Sequence, residues 1–354
     1  MKTEELLREA VERGAADIFL IPGMPLSYRI GGRIIYRSED KIYPRESESI
    51  VEEIYQLAGN RDMTKVRTHG DDDFSMAIAG VSRFRANVFR QRGSLAAIIR
   101  VITFDLPDFG ELHIPSPVMD VARMTKGFVL VTGPAGSGKS TTLACIIDEI
   151  NRTRNVHVIT LEDPIEYLHR HNKSVVTQRE IGIDTDSYVS GLRAALRQAP
   201  DVILVGEMRD DETIKTAMTA AETGHLVIST LHTVGAANTI DRIIDNFPPA
   251  QQQQIRAQIS MVMQAVISQQ LIPALDGTEV PAFEIMFFNN AIRNLVREAK
   301  IHQIDNIIST SQDEGMITMD NSLIRLYREG IISRDNAVIY SNNSELMEKK
   351  LARL

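Results

Sequence analysis

Residues 127–140 read Gly127-Phe128-Val129-Leu130-Val131-Thr132-Gly133-Pro134-Ala135-Gly136-Ser137-Gly138-Lys139-Ser140, and this stretch decides the fold. Its last eight residues fit the phosphate-loop pattern G-x-x-x-x-G-K-[ST]. The six before them form a short apolar run, as a strand buried on both faces requires. Beyond the loop, Leu143, Ile146, Ile147 and Ile150 recur at helical spacing, so a helix starts near Ser140. Strand, glycine-rich turn and helix N-terminus together make an anion site, because backbone N–H groups and the helix dipole point at one place. In this reading Gly133, Gly136, Ser137, Gly138, Lys139, Ser140 and Thr141 bind ATP. Lys139 reaches the β- and γ-phosphates, and the Ser140 hydroxyl ligates Mg²⁺. A glycine turn without a ligand is the bland alternative; the flanking strand and helix weigh against it.

Downstream, the apolar runs 156–161, 202–205 and 226–229 alternate with helical patterns, the signature of a largely parallel α/β sheet. Strands of such sheets present polar groups at their C-terminal ends. The first run leads into Leu161-Glu162-Asp163-Pro164-Ile165-Glu166. The second, Asp201-Val202-Ile203-Leu204-Val205-Gly206-Glu207, is Walker-B-like, with Gly206 where an Asp is expected, so the acidic role passes to Glu207. Phosphoryl transfer to water needs a metal, positive charge and a group that orients the water. Glu207 is the first choice for that last role. Glu162 is the second, and either can hold Mg²⁺ through its hydration shell. Asp163 serves the site or caps a following helix. The third run is flanked by His225 and His232, each either a donor to the γ-phosphate, a support for a catalytic acid, or a structural histidine. No cysteine pair or HExxH motif accompanies them, which argues against zinc. Past Ala282 the tail turns helical, with Ile292, Leu295, Val296 and Ala299 on one face, and the polar residues 341–354 are expected to be loosely held. The glutamine run 251–254 reads as a helix surface.

Upstream, residues 4–14 suggest a helix, and Tyr28-Arg29-Ile30 and Arg33-Ile34-Ile35 flank Gly31-Gly32, a two-residue hairpin signal. A second amphipathic helix carries Ile50, Val51, Ile54 and Leu57. Phe74, Met76 and Ile78, then Phe84, Ala86 and Val88, alternate as half-buried strands do, and an apolar run 95–99 follows. Residues 1–103 thus form a small α/β domain. The proline-punctuated segment 104–119 is the linker, and 120–354 is the second domain. Arg83, Arg85, Arg90, Arg92 and Arg100 crowd one region of the first domain. They form a solvated strand face, or they supply an arginine finger to a neighbouring subunit's phosphate loop.

The length of 354 residues fits two domains, and a net charge of −8 argues against nucleic acid as the main partner. No apolar run is long enough for a membrane span, and the start Met-Lys-Thr-Glu-Glu lacks the apolar stretch of a signal peptide. The single cysteine, Cys145, sits in the helix after the phosphate loop and is expected to pack in the core. A cytoplasmic protein is expected.

At this point the chain resembles a known family. Leu161 to Glu166 looks like the Asp box of the type II/type IV secretion ATPase superfamily. The run from Ala199 to Asp210 looks like its atypical Walker B, and the run from Ala221 to Thr233 like its His box. Within it the chain is most similar to the PilT-type retraction ATPases of type IV pili, through Ala291-Ile292-Arg293-Asn294-Leu295-Val296-Arg297-Glu298 and Gly315-Met316-Ile317-Thr318-Met319-Asp320. The resemblance implies a PAS-like N-terminal domain, a RecA-like ATPase domain with a helical C-terminal region, and a homohexameric ring. It implies ATP between the two domains, and a domain rotation that turns the central pore. The rotation would act on a PilC-like platform protein at the cytoplasmic face of the inner membrane, returning pilins to the membrane. It also implies that arginines matching Arg85 and Arg100 contact the γ-phosphate. Ala135 replaces the family's usual Thr, and Phe19 replaces a His common near the N-terminus. Extension and secretion ATPases of the superfamily usually carry an extra N-terminal domain and a four-cysteine zinc module, which fits this chain less well. A PilU-like accessory shares most motifs. A non-hydrolysing nucleotide sensor is disfavoured by Lys139, Glu207 and the histidines, and a DNA translocase by the acidic balance.

Overall fold

The computed structural model describes residues 3–102, 104, 106 and 108–353. It divides into two compact units, Met1–Asp105 with Glu166–Leu168, and Leu106–Ile165 with His169–Leu354.

The first unit is built on an antiparallel sheet of β1 (Asp17–Leu20), β2 (Pro25–Ile30), β3 (Arg33–Lys41), β4 (Asp71–Ile78), β5 (Ser82–Gln91) and β6 (Ser94–Ile102), in the order β3-β2-β1-β6-β5-β4. The Gly31-Gly32 hairpin forms as expected. Ile30 pairs with Arg33, and both glycines take positive φ, 55° and 75°, which a two-residue turn matched to strand twist demands. One sheet face is apolar. Tyr28, Phe84, Ala86 and Ile99 pack there against Leu6 and Leu7 of the helix Thr3–Glu12 and Val51 and Ile54 of the helix Pro44–Leu57.

The second unit holds a seven-stranded sheet of β7 (Gly127–Thr132), β8 (His157–Glu162), β9 (Val175–Glu180), β10 (Val202–Val205), β11 (Leu226–Leu231), β12 (Met263–Pro273) and β13 (Glu279–Phe287). The order is β13-β12-β7-β11-β10-β8-β9, parallel throughout except for the β12–β13 pair. Helices cover both faces. Leu143, Ile146, Ile147 and Ile150 of the helix Lys139–Thr153 cover one. Ile214, Ile240, Ile243 and Ile259, from three helices, pack against the other. Covered on both sides, β7, β10 and β11 are buried at every residue, which is why they read as unbroken apolar runs. No helix among the described residues is long and apolar enough to cross a membrane.

Several expectations need correction. The tail does not turn helical at Ala282: β13 continues to Phe287, and the helix carrying Ile292 and Val296 begins at Asn290. Of residues 341–354, those up to 351 are not loosely held. The helix Ser344–Leu351 is capped by Asn343 and anchored by buried Met347 and Leu351. Of the expected linker, Asp105 and Pro107 lie outside the described residues. Ile114, Val118 and Met119 are buried in the second unit's core. Residues 1, 2 and 103 of the expected first domain and 354 of the second also lie outside the description.

Candidate nucleotide site

The four parallel strands β7, β8, β10 and β11 are neighbours in register, so their C-terminal ends lie along one edge of the sheet. From β7 the chain enters the loop 133–138 and then the helix that begins at Lys139. Gly133 has φ 144°, and a Cβ there would stand 2.1 Å from the Gln269 carbonyl oxygen of β12, so only glycine fits. Gly138, at φ 83°, turns the loop into the helix. Lys139 is buried, and its Nζ donates to the carbonyls of Gly133 at 2.9 Å and Pro134 at 2.8 Å. The ammonium is therefore held over the loop by groups a phosphate would outbid. The Ser137 hydroxyl is buried without a partner among the described residues. An orphaned donor of this kind in a glycine-rich cradle fits an anionic ligand. Ala135 is exposed, so the missing Thr changes nothing in the packing.

Glu162 is the last residue of β8. Its carboxylate accepts from Thr160 Oγ1 at 2.6 Å and Gln178 Nε2 at 3.2 Å. Glu207 follows β10. Its carboxylate meets Arg209 Nη2 at 2.7 Å and His232 Nε2, just past β11, at 3.4 Å. The Gly206 that displaces the expected acid has a physical reason. A Cβ there would stand 3.1 Å from both the Leu161 carbonyl oxygen and the Tyr188 hydroxyl, closer than ordinary contact, so the acid moves one residue on. Tyr188 was not singled out by sequence. Burial first, and then the negative charges of Glu207, Asp163 and Glu162, push its hydroxyl far above the usual tyrosine range. Arg209 lies two residues beyond Glu207 in the run from Ala199 to Asp210. Neither residue had a signal in spacing; Tyr188 sits on the separate helix Tyr188–Ala195, and only the fold brings it here. Asp163 caps no helix, since the chain runs on irregularly toward β9.

Loop, Glu162, Glu207 and His232 thus share one edge of the sheet, and His225 does not. It precedes β11, where its carbonyl accepts from the N–H of Gly127 at the start of β7. That is the opposite end of a six-residue strand, about 20 Å away. The His225 Nδ1 sits 2.9 Å from the Ala220 carbonyl oxygen, at the end of the helix Asp211–Glu222. The structure therefore sets His225 apart from this loop, with its ring against the end of its own preceding helix. In a parallel strand only one end can face the loop.

Arg85 and Arg100 lie on the first unit. They are register partners on β5 and β6, on the sheet face opposite the helices, and Asp17 of β1 pairs with Arg100 in turn. Arg85 binds Asp73 through Nε at 3.0 Å and Nη2 at 2.5 Å. The Asp17 carboxylate takes Arg100 at 3.1 Å and Arg29 at 2.9 Å. Phe19, in place of the family's His, lies 5.2 Å beneath the Arg29 guanidinium.

No group of three or more His, Cys, Asp or Glu suited to a metal occurs among the described residues. Mg²⁺ does not need one, because it keeps several waters and is held largely by substrate phosphates. The Ser140 hydroxyl and the Glu162 and Glu207 carboxylates are oxygen donors of the right kind.

The family model described as "Type II/IV secretion system protein" matches residues 2–321. The chain is 43% identical, over 91% of its length and 93% of the relative's, to the "Type IV pilus retractation ATPase PilT" of Pseudomonas aeruginosa. It is 50% identical, over 78% of its length and 74% of the relative's, to the "Twitching motility protein" of Neisseria gonorrhoeae. Among solved structures, the pilus retraction motor PilT with bound ADP superposes with a TM-score of 0.89 at 45% identity, covering 100% of both chains. With these matches over most of its length, the chain belongs to the type II/IV secretion system protein family.

Proposed function

We propose that this chain is an ATP-hydrolysing motor that powers retraction of type IV pili. The observation that carries the reading is the gathering of a phosphate loop, two carboxylates and a histidine along one edge of a parallel sheet. The relatives supply the biological context, being a retraction ATPase and a twitching motility protein.

In the reaction, Lys139 leaves the Gly133 and Pro134 carbonyls for the β- and γ-phosphates, and the loop N–H groups hold the oxygens around them. Ser140 and Thr141, in the first turn of the helix that begins at Lys139, face the phosphates, and Ser140 would hold Mg²⁺. The metal, when bound, neutralises developing negative charge. Glu207 orients a water on the γ-phosphorus and accepts its proton. A bond forms from that water's oxygen to phosphorus as the bond to the β–γ bridging oxygen breaks, leaving ADP and inorganic phosphate. His232 and Arg209 fix the Glu207 carboxylate, and Glu162 would help hold Mg²⁺ through water. Arg85 and Arg100 act as arginine fingers within an assembled hexamer, so turnover depends on subunit position. The ring works at the cytoplasmic face of the inner membrane and turns a PilC-like platform protein; it binds no nucleic acid.

Deletion of the gene, with surface pili counted, tests the direction of work. Excess pili mean retraction, and loss of pili overturns the proposal in favour of an extension motor.

A further inference from the structure

We propose that Gln269 of β12 is a positioning residue for the nucleotide, clasping the phosphate loop at both ends before any ligand arrives. The inference rests on reading the loop 133–140 as a nucleotide site and goes beyond the residues that touch phosphate.

Gln269 is buried in the middle of a strand, an unusual place for an amide side chain. Because Ser268 pairs with Thr132, Gln269 lies level with Gly133, the first loop residue. Its backbone carbonyl presses on Gly133, leaving no space for a Cβ. Its side chain reaches the other end. Nε2 would stand 2.9 Å from a Cβ on Gly138, and Oε1 accepts from Thr142 Oγ1 at 2.7 Å, in the first turn of the helix Lys139–Thr153. Thr142 is itself buried. One residue therefore touches the loop's entrance, its exit and the turn that carries Lys139, Ser140 and Thr141. A loop with three glycines has many conformations when free. Holding it in its binding shape beforehand removes an ordering cost that the ligand would otherwise bear.

The adjacent residue does the same for the opposite wall. Side chains alternate along a strand. Ser268 points to the other face, where its Oγ accepts from the Gly235 N–H at 2.9 Å. Beside it, its cross-strand partner Glu284 accepts from the Ala236 N–H at 2.6 Å. Gly235 and Ala236 close the turn that begins at His232. Successive residues of β12 thus hold the phosphate loop and the histidine turn.

The test is ADP binding by calorimetry on the full chain, with Mg²⁺ present, for wild type, Gln269→Met, Thr142→Val and the double variant. Gln269→Met keeps the volume and loses the acceptor. Each single variant should weaken ADP by about ten-fold, and the double by no more than either alone, because one hydrogen bond is being removed. ATP turnover should show a raised KM with kcat nearly unchanged. ADP binding within about two-fold of wild type, or losses that multiply in the double variant, overturns the proposal; so does a lowered melting temperature with unaltered ADP affinity. If Gln269→Met does not fold, Thr142→Val decides, because it removes the same hydrogen bond from the other side, and unchanged ADP affinity there overturns the proposal. Wild type that fails to bind ADP overturns the nucleotide reading itself, whereas tight wild-type binding with indifferent variants overturns only the role of Gln269.

Discussion

Arg85, Arg100 and Asp17 lie side by side on the open face of the six-stranded sheet, while in the seven-stranded sheet β7 is buried along its whole length and its chemistry begins only past its last residue. The difference follows from topology. Antiparallel strands can leave one face to solvent, so Asp73 of β4, Arg83 and Arg85 of β5 and Arg100 of β6 stand on the face opposite their apolar neighbours. Parallel strands joined by helices are covered on both faces, and function is confined to their ends. In the first unit a functional residue can be replaced with little harm to the fold. In the second, the loop is fused to the core, so chemistry and packing are harder to separate.

That contrast can be broken or sharpened by substitution, starting with the largest effect. Lys139→Ala should abolish nucleotide binding and lower ATP turnover by about 10³-fold or more, measured as phosphate release and ADP calorimetry. Retained ADP affinity would mean that the loop binds without its lysine. Glu207→Ala should lower kcat by about 10³-fold while ATP stays bound and unhydrolysed on the purified protein. Wild-type turnover would remove Glu207 from its role. Arg85→Ala should cost about 10²-fold in turnover, since Arg100 stands beside it, with ADP affinity and melting temperature nearly unchanged. A fall in melting temperature would show that the open face is structural after all. His225→Ala should change turnover by less than about two-fold and lower stability by about 1 kcal/mol, through the lost contact with the Ala220 carbonyl. A collapse of turnover without unfolding would restore a functional role to His225.

The same topology explains what could be read in advance. Apolar runs such as β7, β10 and β11 are legible because both faces are buried, and the Gly31-Gly32 hairpin because only glycine tolerates its turn. The hairpin β12–β13 was missed because Gln264, Ser268, Gln269 and Gln270 interrupt the first strand and Pro281 and Glu284 the second. Ser268, Gln269 and Glu284 are buried through hydrogen bonds to other elements, a pattern that no local periodicity encodes. β1 has four residues and β9 a polar edge sequence, so neither makes a strong signal. In the site, loop residues follow a fixed motif and Glu207 follows its strand, while Tyr188 comes from a different helix and is visible only once folded. Strand direction separates the two histidines, since two residues flanking one strand cannot both stand at its C-terminal end.

Cys145 has a practical consequence. It is the chain's only cysteine, 6% exposed, and burial pushes its thiol up to about 11. At neutral pH burial therefore keeps the reactive thiolate scarce there. The natural sequence therefore serves as its own unreactive background for maleimide labelling. A single cysteine introduced on an exposed helix can be tagged with a fluorophore or spin label, and movements during turnover followed, without first removing a native thiol.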